Sequence, residues 1–224
     1  MEKIFGAIAA DVIDSTSLSR ADMLRLNEEV KGCFTDARHY IPLQFWGRLV
    51  KGDTIECCIQ DPGKALRLSL LLKCRIKAWA GGLNCSAALQ DLGIRFSIGV
   101  GHMRIVDPKI DVMDGEAIYI AGRNLSKIAG TSITSAFGFT TADRNLTELI
   151  NISIALLDDL INSLSAKQSA VIYYLLLGLN QIEIAKLLYI SQSSVNSRAQ
   201  KAGWRLVSDT LRVYERINFM DYVG

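Results

Sequence analysis

Apolar residues in the first 140 positions come in short runs divided by turns, and the runs alternate between two spacings. Ile4 to Val12 is almost unbroken apolar chain, interrupted only at Asp11 and bounded by Asp14, Ser15, Thr16 and Ser17. That pattern predicts a central strand opening into a loop. From Ala21 to Phe34 the spacing becomes helical, with Met23, Leu26, Val30 and Phe34 on one face and charges between them. Phe45 to Val50 and Thr54 to Ile59 read as strands joined by the tight turn Lys51-Gly52-Asp53, a β-hairpin. Gly63 to Trp79 returns to helix, and Gly81 to Asp91 is a polar, glycine-containing loop. Ile94 to Val106 alternates around Gly99 and Gly101 as one or two strands, and Gly115 to Ile128 is a third helix.

The order β, α, β, β, α, β predicts an α+β fold: a split βαβ, ferredoxin-like antiparallel sheet with helices on one face. An all-α, tri-helical region follows it. Its first helix opens on a capping box, Ser165-x-x-Gln168, carries Val171, Ile172, Leu175 and Leu176 inward, and stops at Gly178. Ile184, Ala185 and Leu188 set the next helix, and Ile190 and Ser191 close a turn. Ser191 then caps a further helix whose inner stripe is Val195, Ala199, Ala202 and Leu206. The expected domains are 1–140 and 148–224, with 141–147 as a linker around Thr140 to Asn145.

The outer stripe of that last helix holds Gln192, Ser193, Asn196, Ser197, Gln200 and Lys201. Short amides and hydroxyls of this kind hydrogen-bond base edges and phosphates, so these six are the candidate DNA-binding residues of a helix-turn-helix. Net charge over the whole chain is only +2, which excludes a global field for nucleic acid or membrane and makes any DNA contact local. From Ser165 to Gly224 seven basic residues outnumber four acidic ones. A single copy would hold DNA weakly, so a homodimer is expected, with two recognition helices about 34 Å apart.

With 224 residues, 50% hydrophobic and 21% charged, the chain can bury a sizeable core. Five cysteines without paired spacing give neither a disulfide framework nor a zinc set, which points to a reducing, cytoplasmic setting. No run approaches the roughly 20 apolar residues of a membrane span. His39 and His102 have no Ser or Cys partner at recognisable spacing, so a hydrolase triad is unsupported.

Candidate chemistry gathers at the end of the first strand. Asp11 and the hairpin Asp53 sit on strands expected to be neighbours, where two carboxylates could hold a hard cation such as Mg²⁺. Asp14, Ser15, Thr16 and Ser17 lie at the mouth of the first helix, where backbone N–H groups favour a phosphate. Asp can also sit in such places simply to cap a helix or turn.

These residues resemble three known groups. Glu183 to Val195, E-I-A-x-x-L-x-I-S-x-x-x-V, resembles the helix-turn-helix of LuxR-type regulators and sigma-factor region 4, with Tyr189 where glycine is usual. A bulky residue there implies an altered turn. Asp11 in AADVIDST, Gly52-Asp53, and the series Gly115, Ala121, Arg123 resemble class III nucleotidyl cyclases. That resemblance implies that Asp11 and Asp53 bind metal and that Arg123 contacts phosphates. It departs at Val112, Tyr119 and Leu49, which stand where base- and ribose-selecting residues are expected. Nearly the whole chain is similar to the SatD family, through Asp11, Asp14, Ser15, Gly52, Asp53, Asp114, Gly115, Ser191 to Val195 and Ala202 to Trp204. That resemblance implies a cyclase-like domain with a DNA-binding-like tail and brings no reaction. Three functions stand side by side: a nucleotide-responsive transcription regulator, an enzyme that cyclises or polymerises nucleoside triphosphates, and a degenerate dimeric scaffold. No catalytic residue is assigned.

Overall fold

The computed structural model describes residues 3–50, 52–81, 92–107, 109, 112–139 and 143–222. The expected loop from Gly81 to Asp91 lies, apart from Gly81, outside the described residues, as do positions 140–142 of the expected linker. Among these residues six strands form one sheet: β1 (Ile4–Val12), β2 (Phe45–Val50), β3 (Thr54–Ile59), β4 (Ile94–Asp107), β5 (Val112–Gly115) and β6 (Ser135–Phe139). Their order is β2-β3-β1-β4-β5, antiparallel throughout, with β6 added parallel to β4. The first four reproduce the split βαβ arrangement expected of the chain. β5 and β6 are additions.

β1 is apolar at almost every position because both of its faces are covered. Ile8, Ala10 and Val12 face a core shared with α1 (Arg20–Tyr40) and α2 (Ala65–Ala80), whereas Ala7 and Ala9 meet Ala117 and Ala121 of α3 (Glu116–Ile128). The expectation of helices on one face is therefore corrected: α3 packs on the other. Small residues make this possible. A Cβ at Gly99 would lie 2.2 Å from the Ala117 carbonyl oxygen and 2.7 Å from the Ala121 nitrogen, so the helix backbone rests directly on β4. Gly115 turns β5 into α3 at φ +154, where a side chain would strike the His102 carbonyl and Met103.

The helices α4 (Arg144–Ser163), α5 (Ala166–Leu176), α6 (Gln181–Leu188), α7 (Gln192–Lys201) and α8 (Trp204–Tyr214) follow. The Asp143 side chain caps α4 by accepting from Leu146 N, so residues 144–147 of the expected linker form the first helical turn. The core is continuous from Ile8 and Phe96 in the sheet to Ile172, Val195 and Leu211 in the helices.

Two of the polar contacts that fasten the halves are made by α4. Lys73 of α2 pairs with Asp158 of α4, both side chains nearly fully buried, and Thr134 donates to the second Asp158 oxygen. Burial lowers the Lys73 pKa, opposed by Asp158. Beside β6, the side-chain amide of Asn151 in α4 accepts from Phe137 N and donates to Phe137 O, both at 2.9 Å.

Cys33, Cys57, Cys58 and Cys74 are buried, and burial pushes all four thiols up, Cys58 and Cys74 to about 12. They are inert packing residues. Among the described residues no helix is long and apolar enough to cross a membrane.

Candidate functional site

The antiparallel register places Asp11 opposite Thr54 on one side and Arg95 on the other, so the hairpin brings Asp53 next to the end of β1. Ser15 donates to Asp53 at 2.6 Å, tying the loop after β1 to the hairpin turn. Asp11 Oδ1 is buried and has no hydrogen-bond partner, and Arg95 Nε, equally unpartnered, faces it at 3.6 Å. Burial raises the Asp11 pKa above 3.8, Arg95 opposes the shift, and the Asp53 charge adds to it. Two carboxylates meet here, one of them also facing Arg95, and carboxylate oxygens are the ligands that a hard cation such as Mg²⁺ takes. Among the described residues no cluster of three His, Cys, Asp or Glu completes an all-protein cage.

Asp14, Thr16 and Ser17 lie exposed beside this pair. They do not form the mouth of α1. Ser15 to Ser17 is a separate 3-10 turn entered through Asp14 in the left-handed region, whereas α1 starts at Arg20 and is capped by Ser19, which accepts from Asp22 N. The Asp22 N–H of that first turn is thus taken by the α1 cap. The turn's own N–H of Ser17 is also engaged, by the Asp14 carbonyl.

Arg123 lies on α3, over the same sheet face as Asp11 but further back along β1. It lines a hollow of about 330 Å³ with Ala9, Glu56, Tyr119 and Ser126. Arg48 grips Glu56 at 2.8 Å. Tyr119 donates to Asp114, which also pairs with Arg104, and these bonds lower the Asp114 pKa. Sequence reasoning missed Arg95. Its signal is positional, since the β1 and β4 pairing alone puts it across from Asp11.

The second candidate surface is built by α6, α7 and the turn between them. Asn180 caps α6 through Ile182 N and Glu183 N while Glu183 accepts from Asn180 N, a capping box that opens the motif. Ser191 caps α7 by accepting from Ser194 N. Val195 and Ala199 point into the core, and Gln192, Ser193, Asn196, Ser197, Gln200 and Lys201 are all exposed. The inner stripe ends at Ala202. Gly203, at φ +67, breaks the chain into α8, and Leu206 stands 57% exposed on that next helix rather than continuing the stripe.

Tyr189 leaves the turn unaltered, contrary to expectation. It adopts the left-handed conformation itself (φ 53, ψ 44), and Ile190 N still reaches the Ala185 carbonyl at 3.0 Å. The side chain escapes a clash by projecting into solvent, 95% exposed. A left-handed non-glycine residue costs about 1 kcal/mol. Tyr189→Gly is accordingly expected to raise stability by up to about 1 kcal/mol, less the greater freedom glycine gives the unfolded chain. Urea titration of the two proteins measures it, and a loss of stability would show that the exposed ring contributes packing after all.

A family model described as Sigma-70, region 4 matches residues 154–206, which span the end of α4 through the start of α8. No curated protein sequence is significantly similar to the chain. Among solved structures, a bacterial light-regulated adenylyl cyclase is similar at 17% identity and a TM-score of 0.48, over 63% of this chain and 77% of that one. The guanylyl cyclase Cya2 is similar at 13% identity and a TM-score of 0.40, over 57% and 71%. The fold assignment rests on the strand order and core, and these likenesses add nothing to it.

Proposed function

We propose that the chain is a DNA-binding regulator that reads its site through α7, and that its sheet binds a nucleotide with Mg²⁺. The outward face of α7 carries the proposal: six exposed amide, hydroxyl and ammonium side chains on a helix locked to the core by Val195 and Ala199. The Sigma-70 region 4 match supports it. Membership of the SatD family, on the motifs at Asp11, Gly52-Asp53 and Ser191 to Val195, is the finer assignment we propose.

Fluorescence anisotropy with fragments of the gene's own promoter tests the DNA reading. Base contacts are worth about 1–3 kcal/mol each, so Gln192→Ala with Asn196→Ala should weaken specific binding at least about tenfold. Lys201→Ala should weaken binding to all sequences alike. Absence of any specific complex with the wild-type chain, with and without nucleotide, would sink the reading.

For the sheet, Asp11 and Asp53 would hold the ion, with Ser15 positioning Asp53, the turn from Asp14 to Ser17 alongside, and Arg123 on the hollow behind. Mg²⁺ supplies charge that draws phosphates to the site. Thermal melting across a nucleotide panel should show a Mg²⁺-dependent shift, about 2.7 kcal/mol at 100 times Kd, that Asp53→Ala abolishes. The ion needs Asp11 ionised. Because its pKa is raised, the shift should fade as pH falls through a point above 3.8; a shift unaffected by Asp53→Ala would place the ligand elsewhere. The same carboxylate pair favours a second reading, turnover of nucleoside triphosphates. Mass spectrometry of ATP and GTP incubated with Mg²⁺ or Mn²⁺ decides it, and unchanged substrate rules it out.

A further inference from the structure

The outer face of α4 carries no charge for two turns. Between Glu148 and Asp159 its exposed positions are Leu149, Ile152, Ser153, Ala155 and Leu156. The three large ones are 64%, 58% and 69% exposed. α8 runs antiparallel alongside, since Leu160 near the end of α4 leans over Gly203 at the start of α8, while Leu149 and Ser153 share an apolar hollow with Thr210 and Val213. α8 adds Leu206 and Val213, 57% and 65% exposed. Leu149 and Leu156 are seven residues apart, as are Leu206 and Val213, so each helix repeats its apolar position every two turns and the pair presents two ridges.

We infer that this face joins two copies of the chain, with α4 of each lying across α8 of the other. Area supports the choice of occupant. Five large apolar side chains, each more than half exposed, present on the order of 500 Å², at the upper end of what a monomer leaves bare. A standard interface buries about 800 Å² per partner, and in homodimers about 65% of it is apolar. The ridges therefore supply about the apolar share a stable dimer requires.

Charge points the same way. Glu148 and Asp159 bracket the α4 ridge, with Arg144 as the one exposed base, whereas Arg205 and Arg212 are exposed along α8 and Arg216 just beyond its end; Arg212 also binds Asp209 within its own helix. A two-fold axis lays the acid-bracketed ridge on the basic one, which makes the face self-complementary. Because α8 follows α7 directly, the pairing would also fix the two recognition helices relative to each other. The inference itself does not rest on DNA binding.

Sedimentation velocity of the full chain without DNA, over a wide concentration range, tests it. The wild type should be a dimer, and Leu149→Asp and Leu156→Asp should each raise the dimer Kd by about 30-fold or more, as expected for residues central to an interface. Both side chains are exposed, so melting of the monomer should be unchanged, and Leu24→Asp on α1, at a 61% exposed position, should leave the dimer intact. A wild type that is monomeric at every concentration would overturn the inference. So would a dimer untouched by either substitution, which would place the contact on another face.

Discussion

Lys73→Ala should lose about 3–5 kcal/mol of stability, as much as truncating a large core side chain. The reason is desolvation. The Asp158 side chain is 4% exposed, and without Lys73 the hydroxyl of Thr134 and a long contact from Asn162 are left to meet it. Replacing both partners by apolar residues, Lys73→Met with Asp158→Leu, should recover most of the loss, because no bare charge is then buried. Urea unfolding measures both. A single variant within about 1 kcal/mol of wild type would mean that water reaches the pair. The pair bridges α2 and α4, so the same experiment tests the continuity of the core. Trp46 in β2 and Trp204 in α8, kept singly, should report coincident transitions.

Gly99→Ala should cost about 3 kcal/mol, near the upper end of ordinary overpacking, because the new methyl meets backbone that cannot rotate away. The contacts at 2.2 and 2.7 Å can be relieved only by lifting α3 from the sheet. Hydrogen exchange should then quicken along 116–128 before the rest of the sheet. Gly122, on the same helix, has nothing within 4 Å of its missing Cβ. Gly122→Ala should gain up to about 1 kcal/mol by propensity alone. Equal effects at the two positions would mean that α3 does not sit flush on β4.

Both predictions concern contacts that periodicity does not reveal. The bounds of β1, β2 and β3 are legible because short apolar runs end at Asp14 and at Gly52-Asp53, residues that stop strands for local reasons. The start of α5 is legible from a capping box, which is also local. Which face α3 covers is not: a helical stripe records that one side is buried and not against what. The chain's glycines and alanines carry that information, but only once β1 and β4 are paired. The apparent stripe from Val195 to Leu206 fails for the opposite reason, since the spacing persists across the left-handed Gly203 that ends α7. α4 escapes notice because it has apolar residues on two sides, one for the core and one left bare. At the candidate site, Asp11, Ser15 and Asp53 converge as their strand neighbours require, whereas the separate start of α1 at Arg20 depends on Ser19 accepting from Asp22 N.

The amide of Asn151 gives Phe137 the donor and acceptor that a seventh strand would otherwise provide. At that point the free margin of β6 is sealed by a side chain, and an extended segment from another molecule could bond there only by displacing it. Open margins are where sheets recruit strays and grow into fibres. Copies of this chain are thereby steered away from end-to-end polymerisation along β6, and Asn151→Leu would restore the template.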